Sequence, residues 1–179
     1  MKKKQPKDVA ALVQTGQRND CPMEIAEATV RANKTQRARM VEKIRQAAGG
    51  QVAGKRIAML GLSFKPNTND LRDAPSLEIA QCLQQEGAVI QAYDPAAMEE
   101  ASKLLPAIEL CEDSYEAAAG ADLLVLMTEW NQFRNLDLDR IKSALKAPIF
   151  VDLRNVYEPA RMASLGFQYT SVGRPTPAV

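Results

Sequence analysis

The chain has no histidine. That absence removes Ser-His and Cys-His nucleophilic pairs and nearly all zinc sites, which rely on imidazole as base or ligand. Cysteine is sparse. Cys21, Cys82 and Cys111 stand far apart, are odd in number and form no Cys-x-x-Cys. We expect free, mostly buried thiols in a reducing cytoplasm. No apolar run approaches the roughly 20 residues of a membrane span. The opening Met-Lys-Lys-Lys-Gln-Pro is positive but lacks the apolar stretch of a signal peptide. An excess of one charge is also missing. With 23 basic and 22 acidic residues the net charge is +1, which argues against binding nucleic acid through a basic surface. The dinucleotide fingerprint Gly-x-Gly-x-x-Gly does not occur. Any chemistry must therefore come from Lys, Asp, Cys or a cofactor.

What is present suits one ordinary domain with an appendage: 179 residues, 46% hydrophobic and 25% charged. Residues 1–50 read as helical. A first run begins at Pro6-Lys7-Asp8 with apolar Val9, Leu12 and Val13, and a break follows at Asn19-Asp20-Cys21-Pro22. Asp20 is expected to cap the next helix and Pro22 to occupy its first turn. That helix is predicted over Met23–Ala48, closed by Gly49-Gly50, and would be ~39 Å long at 1.5 Å per residue. Its stripe of Ile25, Ala28, Val30, Met40, Val41 and Ile44 either packs on its own domain or reaches a second domain or subunit.

Residues 51–179 change texture. Strands are predicted at Arg56–Leu60, Val89–Tyr93, Ile108–Cys111, Leu123–Met127, Ile149–Val151 and Phe167–Ser171. Helices are predicted at Leu77–Gln85, Met98–Leu105, Ser114–Ala119 (capped by Asp113), Asp139–Leu145 and Arg161–Leu165. Alternating elements with continuous apolar strands imply an α/β, Rossmann-like parallel sheet with helices on both faces. Ligands of such sheets bind beyond the carboxyl ends of the strands. Three segments fall there: "GLSFKPNTNDLRDAP" from Gly61, Thr128-Glu129-Trp130, and Asp152-Leu153-Arg154-Asn155. They offer Lys65, Arg72 and Arg154 with two aromatic rings, Phe64 and Trp130. That set suits an anionic ligand with a flat base. The same residues admit a plainer reading. Lys65 and Arg72 can pair with Asp70 and Asp73 in a solvated loop, and Trp130 can be core.

Six stretches, in order, carry a more specific signal: "PKDV" at 6–9, "VRANKTQ" at 30–36, "GLSFKPNTNDLRDAPSLEIA" at 61–80, "YDP" at 93–95, "TEWNQFR" at 128–134 and "DLRNVY" at 152–157. Together they resemble the UDP-glucose 6-dehydrogenase family, within the wider UDP-glucose/GDP-mannose dehydrogenases. The resemblance implies a long central helix forming a homodimer core, here Met23–Ala48, followed by a Rossmann-like domain that binds the nucleotide sugar. It implies oxidation of UDP-glucose to UDP-glucuronate in two hydride transfers to NAD, through a cysteine that captures the aldehyde. It also implies roles for single residues. Asp8 would position or activate water, Phe64, Lys65 and Arg154 would contact the nucleotide sugar, and Arg72 would reach the NAD phosphates. Asn69 stands where the family commonly has aspartate. The family's NAD-binding first domain has no counterpart here, and Lys4 and Gln5 stand where the family has its nucleophilic cysteine and an aromatic residue. We therefore expect a partial, cytoplasmic chain, inactive alone, with no metal. The other readings are a stand-alone UDP-sugar-binding or oligomerisation module, or part of a GDP-mannose or UDP-amino-sugar dehydrogenase.

Overall fold

The computed structural model describes residues 8–175, with side chains from Val9 onward. The chain divides into two compact units, with the boundary between Arg39 and Met40.

The first unit holds helix α1 (Asp8–Arg18) and the first part of helix α2 (Glu24–Ala47). The chain turns at Gly16, whose carbonyl accepts from the Asn19 and Cys21 N–H groups at 3.1 and 2.9 Å. A side chain at Gly16 would clash, because a Cβ there would lie 2.5 Å from the Cys21 carbonyl oxygen. The expected cap is not formed. Asp20 takes a left-handed φ of 48° and ends the turn, while α2 starts at Glu24 with the Met23 carbonyl accepting from Glu27 N–H at 2.8 Å. Pro22 thus precedes the helix. The turn also leaves Cys21 exposed, while Cys82 is half-buried and Cys111 buried. The expectation of mostly buried thiols fails at Cys21 because that residue belongs to the turn and to no packed element.

The second unit takes in the end of α2. Val41 and Ile44 are buried there and, with Ala48 just past the helix, join one apolar cluster with Ile57, Met59, Ile79, Leu83 and Ile90. Arg45 forks onto Glu86 through Nε at 3.1 Å and Nη2 at 2.7 Å. A six-stranded sheet follows, built from β1 (Arg56–Leu60), β2 (Val89–Tyr93), β3 (Glu109–Leu110), β4 (Leu123–Leu126), β5 (Ile149–Asp152) and β6 (Gln168–Ser171). All pairs are parallel, in the order β3-β2-β1-β4-β5-β6. The strands run between helices α3 (Pro75–Gln85), α4 (Met98–Leu104), α5 (Ser114–Ala118), α6 (Leu138–Ala144) and α7 (Pro159–Ser164).

Side chains alternate across each strand, so the core forms on both faces of the sheet. Ile57, Met59, Val125 and Val151 face one cluster, with α3 and the end of α2. Ala58, Leu60, Leu124, Leu126 and Phe150 face the other, with Ala117 of α5, Ile141 of α6 and Met162 of α7. Phe150 packs edge-on against Phe167, with ring centroids 5.8 Å apart. Each large side chain buried this way stabilises the fold by roughly 1.5–3 kcal/mol.

The α/β class and the all-parallel sheet agree with the sequence reading. The differences have local causes. Helices α3 and α7 start two residues earlier than expected because Pro75 and Pro159 occupy their first turns, where a missing N–H does no harm. A short 3-10 helix at Asn131–Asn135 was not anticipated. It carries the buried Phe133 between β4 and α6. Asp113 does cap α5, accepting from Tyr115 and Glu116 N–H, both at 2.7 Å. Among the described residues, no helix is long and apolar enough to cross a membrane.

Candidate functional site

The strand order reverses direction at β1 and β4, which are neighbours. In open parallel sheets ligands bind at the carboxyl edge near such a reversal. The three predicted segments all lie on this edge, after β1, β4 and β5.

The β1 loop is held from below by a buried carboxylate. Asp94, just past β2, is fully buried. Its Oδ2 accepts from Leu62 N–H at 2.8 Å, Ser63 N–H at 2.9 Å and the Ser63 hydroxyl at 2.8 Å. Its Oδ1 accepts from Ala96 and Ala97 N–H at 2.9 Å each. Gly61 is needed at the start of this loop. Its φ is 89°, and a Cβ would stand 2.8 Å from the Thr128 backbone nitrogen. That close approach lets the β1 and β4 loops touch. The Thr128 hydroxyl donates to the Ser63 carbonyl at 2.7 Å, and Trp130 Nε1–H donates to Ser63 Oγ at 3.1 Å with Asp94 Oδ2 at 3.3 Å.

Phe64 and Lys65 follow directly and are exposed. The Phe64 N–H donates to the Asp70 carbonyl at 2.9 Å, which closes the loop. Lys65 takes part in none of the ion pairs formed among the described residues. Arg72 does pair. Its Nε and Nη2 donate to Asp70 at 2.9 Å each, and its side chain is 84% exposed. The hydrogen bond that Arg72 donates to the Asp70 carboxylate raises the Arg72 pKa. The plainer reading of this loop is thus realised for Arg72 with Asp70.

The β5 loop repeats the device. Asp152, the last residue of β5, is fully buried. Its Oδ1 accepts from Arg154 N–H at 2.9 Å, and its Oδ2 from Val156 N–H at 2.7 Å, Tyr157 N–H at 3.0 Å and the Tyr169 hydroxyl at 2.7 Å. Burial and the Asp152 carboxylate push the Tyr169 phenol upward. Arg154 reaches across to the β4 loop, where its guanidinium fork meets both Glu129 oxygens, Nη2 to Oε1 at 2.8 Å. This hydrogen bond, more than any other influence, lowers the Glu129 pKa.

The structure therefore brings Phe64, Lys65, Arg72 and Arg154 to one edge of one sheet. Asp8 opens α1 in the other unit, and its side chain lies outside the described residues. Trp130 is only 8% exposed and spends its indole N–H on Ser63. It is core with a polar handle, which leaves Phe64, 45% exposed, as the ring this edge presents. Sequence reasoning missed Asp94 and Asp152 as the anchors of the site. The available signal was an aspartate closing a buried apolar strand, in "YDP" and "VDLR".

Residues 58–159 match the UDP-glucose/GDP-mannose dehydrogenase family, UDP binding domain. The chain belongs to this family. The matched span runs from β1 to the start of α7 and contains the β1, β4 and β5 loops. The chain is 51% identical to the UDP-glucose 6-dehydrogenase of Rhizobium meliloti over 170 residues, covering 95% of this chain and 39% of that protein. Two solved structures are also similar. A UDP-glucose dehydrogenase from Pyrobaculum islandicum is 30% identical, with a TM-score of 0.71 over 82% of this chain and 32% of its own. An NDP-N-acetyl-D-galactosaminuronic acid dehydrogenase from Methanosarcina mazei is 25% identical, with a TM-score of 0.81 over 95% of this chain and 37% of its own. The chain thus spans well under half the length of these relatives.

The β1 loop lacks the features of a dinucleotide-binding turn. A dinucleotide pyrophosphate needs glycines that let the backbone close on it, and free N–H groups at the following helix. Here only Gly61 is present, it is packed against Thr128, and α3 opens with Pro75. These residues do not form a dinucleotide cradle. The cationic groups this edge carries are the side chains of Lys65, Arg72 and Arg154.

Proposed function

We propose that the chain is the nucleotide-sugar-binding and dimerisation part of an NAD-dependent UDP-glucose 6-dehydrogenase, which oxidises UDP-glucose to UDP-glucuronate. One observation carries this reading. The family's UDP-binding span carries exposed Phe64 and Lys65 on the β1 loop and Arg154 on the β5 loop, at one edge of the sheet with the β4 loop between them.

In this proposal Lys65 and Arg154 neutralise the diphosphate, and Phe64 supplies apolar contact to the nucleotide sugar. Lys65 acts as a point charge, while the Arg154 guanidinium adds directional donors. Asp94 and Asp152 act at one remove, since each fixes the loop that bears the contact. NAD supplies the hydride acceptor when bound, and it is held mainly outside this chain. Arg72 is the one residue assigned here to its phosphates, and Asp8 the one assigned to water. These 179 residues alone therefore leave NAD unreduced in the presence of UDP-glucose, and turnover by the purified chain would overturn that part. The helix Met23–Ala48 forms the homodimer. Its Ile25 is 86% exposed, an apolar surface that a partner helix would cover. A monomer in the ultracentrifuge at micromolar concentration would count against the dimer.

The deciding experiment is calorimetric titration with UDP, UDP-glucose and GDP. We expect the uridine ligands to bind, GDP to fail, and Lys65→Ala to weaken binding by about tenfold, the value of one charge-assisted contact. Binding of GDP in preference to UDP would favour a GDP-sugar enzyme. No binding by any of the three would leave an oligomerisation module.

A further inference from the structure

The β4 loop places three consecutive residues on three tasks. Thr128 and Trp130 are buried and bonded to Ser63, at 2.7 and 3.1 Å, so the backbone on both sides of Glu129 is fixed. Glu129 points the other way and takes the Nε–Nη2 edge of Arg154. Arg154 is tethered again at its own backbone, through N–H to Asp152 Oδ1 at 2.9 Å. A guanidinium has five N–H donors. Glu129 occupies the Nε–Nη2 edge and leaves the Nη1 end for something else. The loop that aims Arg154 also grips the residue before Phe64 and Lys65, so it sets the spacing of the two cationic arms.

We propose that Glu129 is a positioning residue that holds Arg154 ready for the diphosphate of a nucleotide sugar, an inference that rests on Arg154 contacting that ligand. A carboxylate beside a cation can do two opposite things to an anionic ligand. It can mask the positive charge, in which case removing it tightens binding. It can also hold the guanidinium in place, in which case removing it weakens binding, because a loose arginine must then be ordered by the ligand. The bidentate fork and the fixed backbone on both partners favour the second. Part of the ordering is already complete in the free protein, and Glu129 is what completes it.

The test is calorimetric titration with UDP of the full chain and its Glu129→Gln, Arg154→Ala and doubly substituted forms. Alongside it, the ¹H–¹⁵N signal of the Arg154 Nε–H is followed, identified by its loss in Arg154→Ala. The Glu129→Gln substitution keeps the length and loses the charge, so the masking effect alone would raise affinity. We expect Glu129→Gln to weaken UDP binding by about threefold to tenfold, the ordering cost of one long side chain. We also expect no further loss when it is added to Arg154→Ala, and the Nε–H signal to move towards the position of a solvated arginine. Unchanged or tighter UDP binding by Glu129→Gln, or an equal loss in the Arg154→Ala background, would overturn the inference while leaving the site intact. If Arg154→Ala itself binds UDP as well as the parent chain, the underlying site assignment fails.

Discussion

Asp94 offers the sharpest test of how this site is built. Replacing it with alanine removes the acceptor for five N–H and O–H donors from two segments, residues 62–63 and 96–97, and leaves Trp130 with Ser63 alone. Leu62, Ser63 and Ala97 are buried, so their amides cannot simply turn to bulk water. A buried donor left unsatisfied costs about 1–3 kcal/mol. Three such donors give about 3–9 kcal/mol. The loops lie at the sheet edge, where a water molecule can enter the space, so the lower end applies, about 3–4 kcal/mol. That is a large share of the roughly 5–15 kcal/mol that keeps a domain folded. With a urea m-value of about 2 kcal/mol/M, the unfolding midpoint falls by about 1.5–2 M. The chain has one tryptophan, Trp130, and it belongs to this network. Urea unfolding followed by its fluorescence and by far-UV circular dichroism reads local and global loss together. Asp94→Asn is the informative control, since it keeps the shape but turns an NH₂ donor towards other donors. It should lose about 2–3 kcal/mol. A loss below about 1 kcal/mol for Asp94→Ala would refute the reasoning, because the amides would then be satisfied without the carboxylate.

Other expected outcomes follow from single contacts. Gly61→Ala demands both a left-handed backbone and a Cβ 2.8 Å from the Thr128 nitrogen, so the loops separate. We expect a loss of about 2 kcal/mol or more together with altered Trp130 fluorescence in the folded state. Asp113→Ala removes the cap of α5 and should cost about 1 kcal/mol in the same urea assay. Burial, the largest influence, with nearby Glu116 and Glu109, pushes the Cys111 thiol up to about 11 from 9.0. Above about pH 9 the unfolded chain releases this proton first, so the folded state binds more protons and stability falls as pH rises. The contribution is whole below about pH 9 and lost by about pH 11, and Cys111→Ala should flatten that part of the pH–stability curve. In the native chain at about pH 8, a thiol reagent should modify exposed Cys21 well before Cys111.

The elements of the second unit were legible because each strand is a short apolar run bounded by turn residues. Leu123–Leu126 is buried at every position, and no helix of that length would be. Boundaries slipped where proline started a helix earlier than the apolar pattern did, at Pro75 and Pro159. The 3-10 helix at Asn131–Asn135 has a polar sequence with one buried side chain, Phe133, too little to show a period. At the site, Phe64, Lys65, Arg72 and Arg154 could be placed on loops at the carboxyl edge. Their partners could not be assigned, because Lys65 and Arg72 have two nearby aspartates and nothing local chooses between them.

The sequence by itself determined the class of fold, the parallel sheet and the loops that carry charge, since hydrophobic periodicity and turn chemistry act over a few neighbouring residues. It also determined what is excluded, as the missing histidines and glycine fingerprint show. Only the tertiary structure decided which carboxylates serve inside and which outside. Asp94 and Asp152 each close an apolar strand, but only burial makes each of them the acceptor for loops brought together from distant segments. The pairing of Glu129 with Arg154 spans 25 residues and exists because β4 and β5 are neighbours in the sheet, a fact that no local pattern contains.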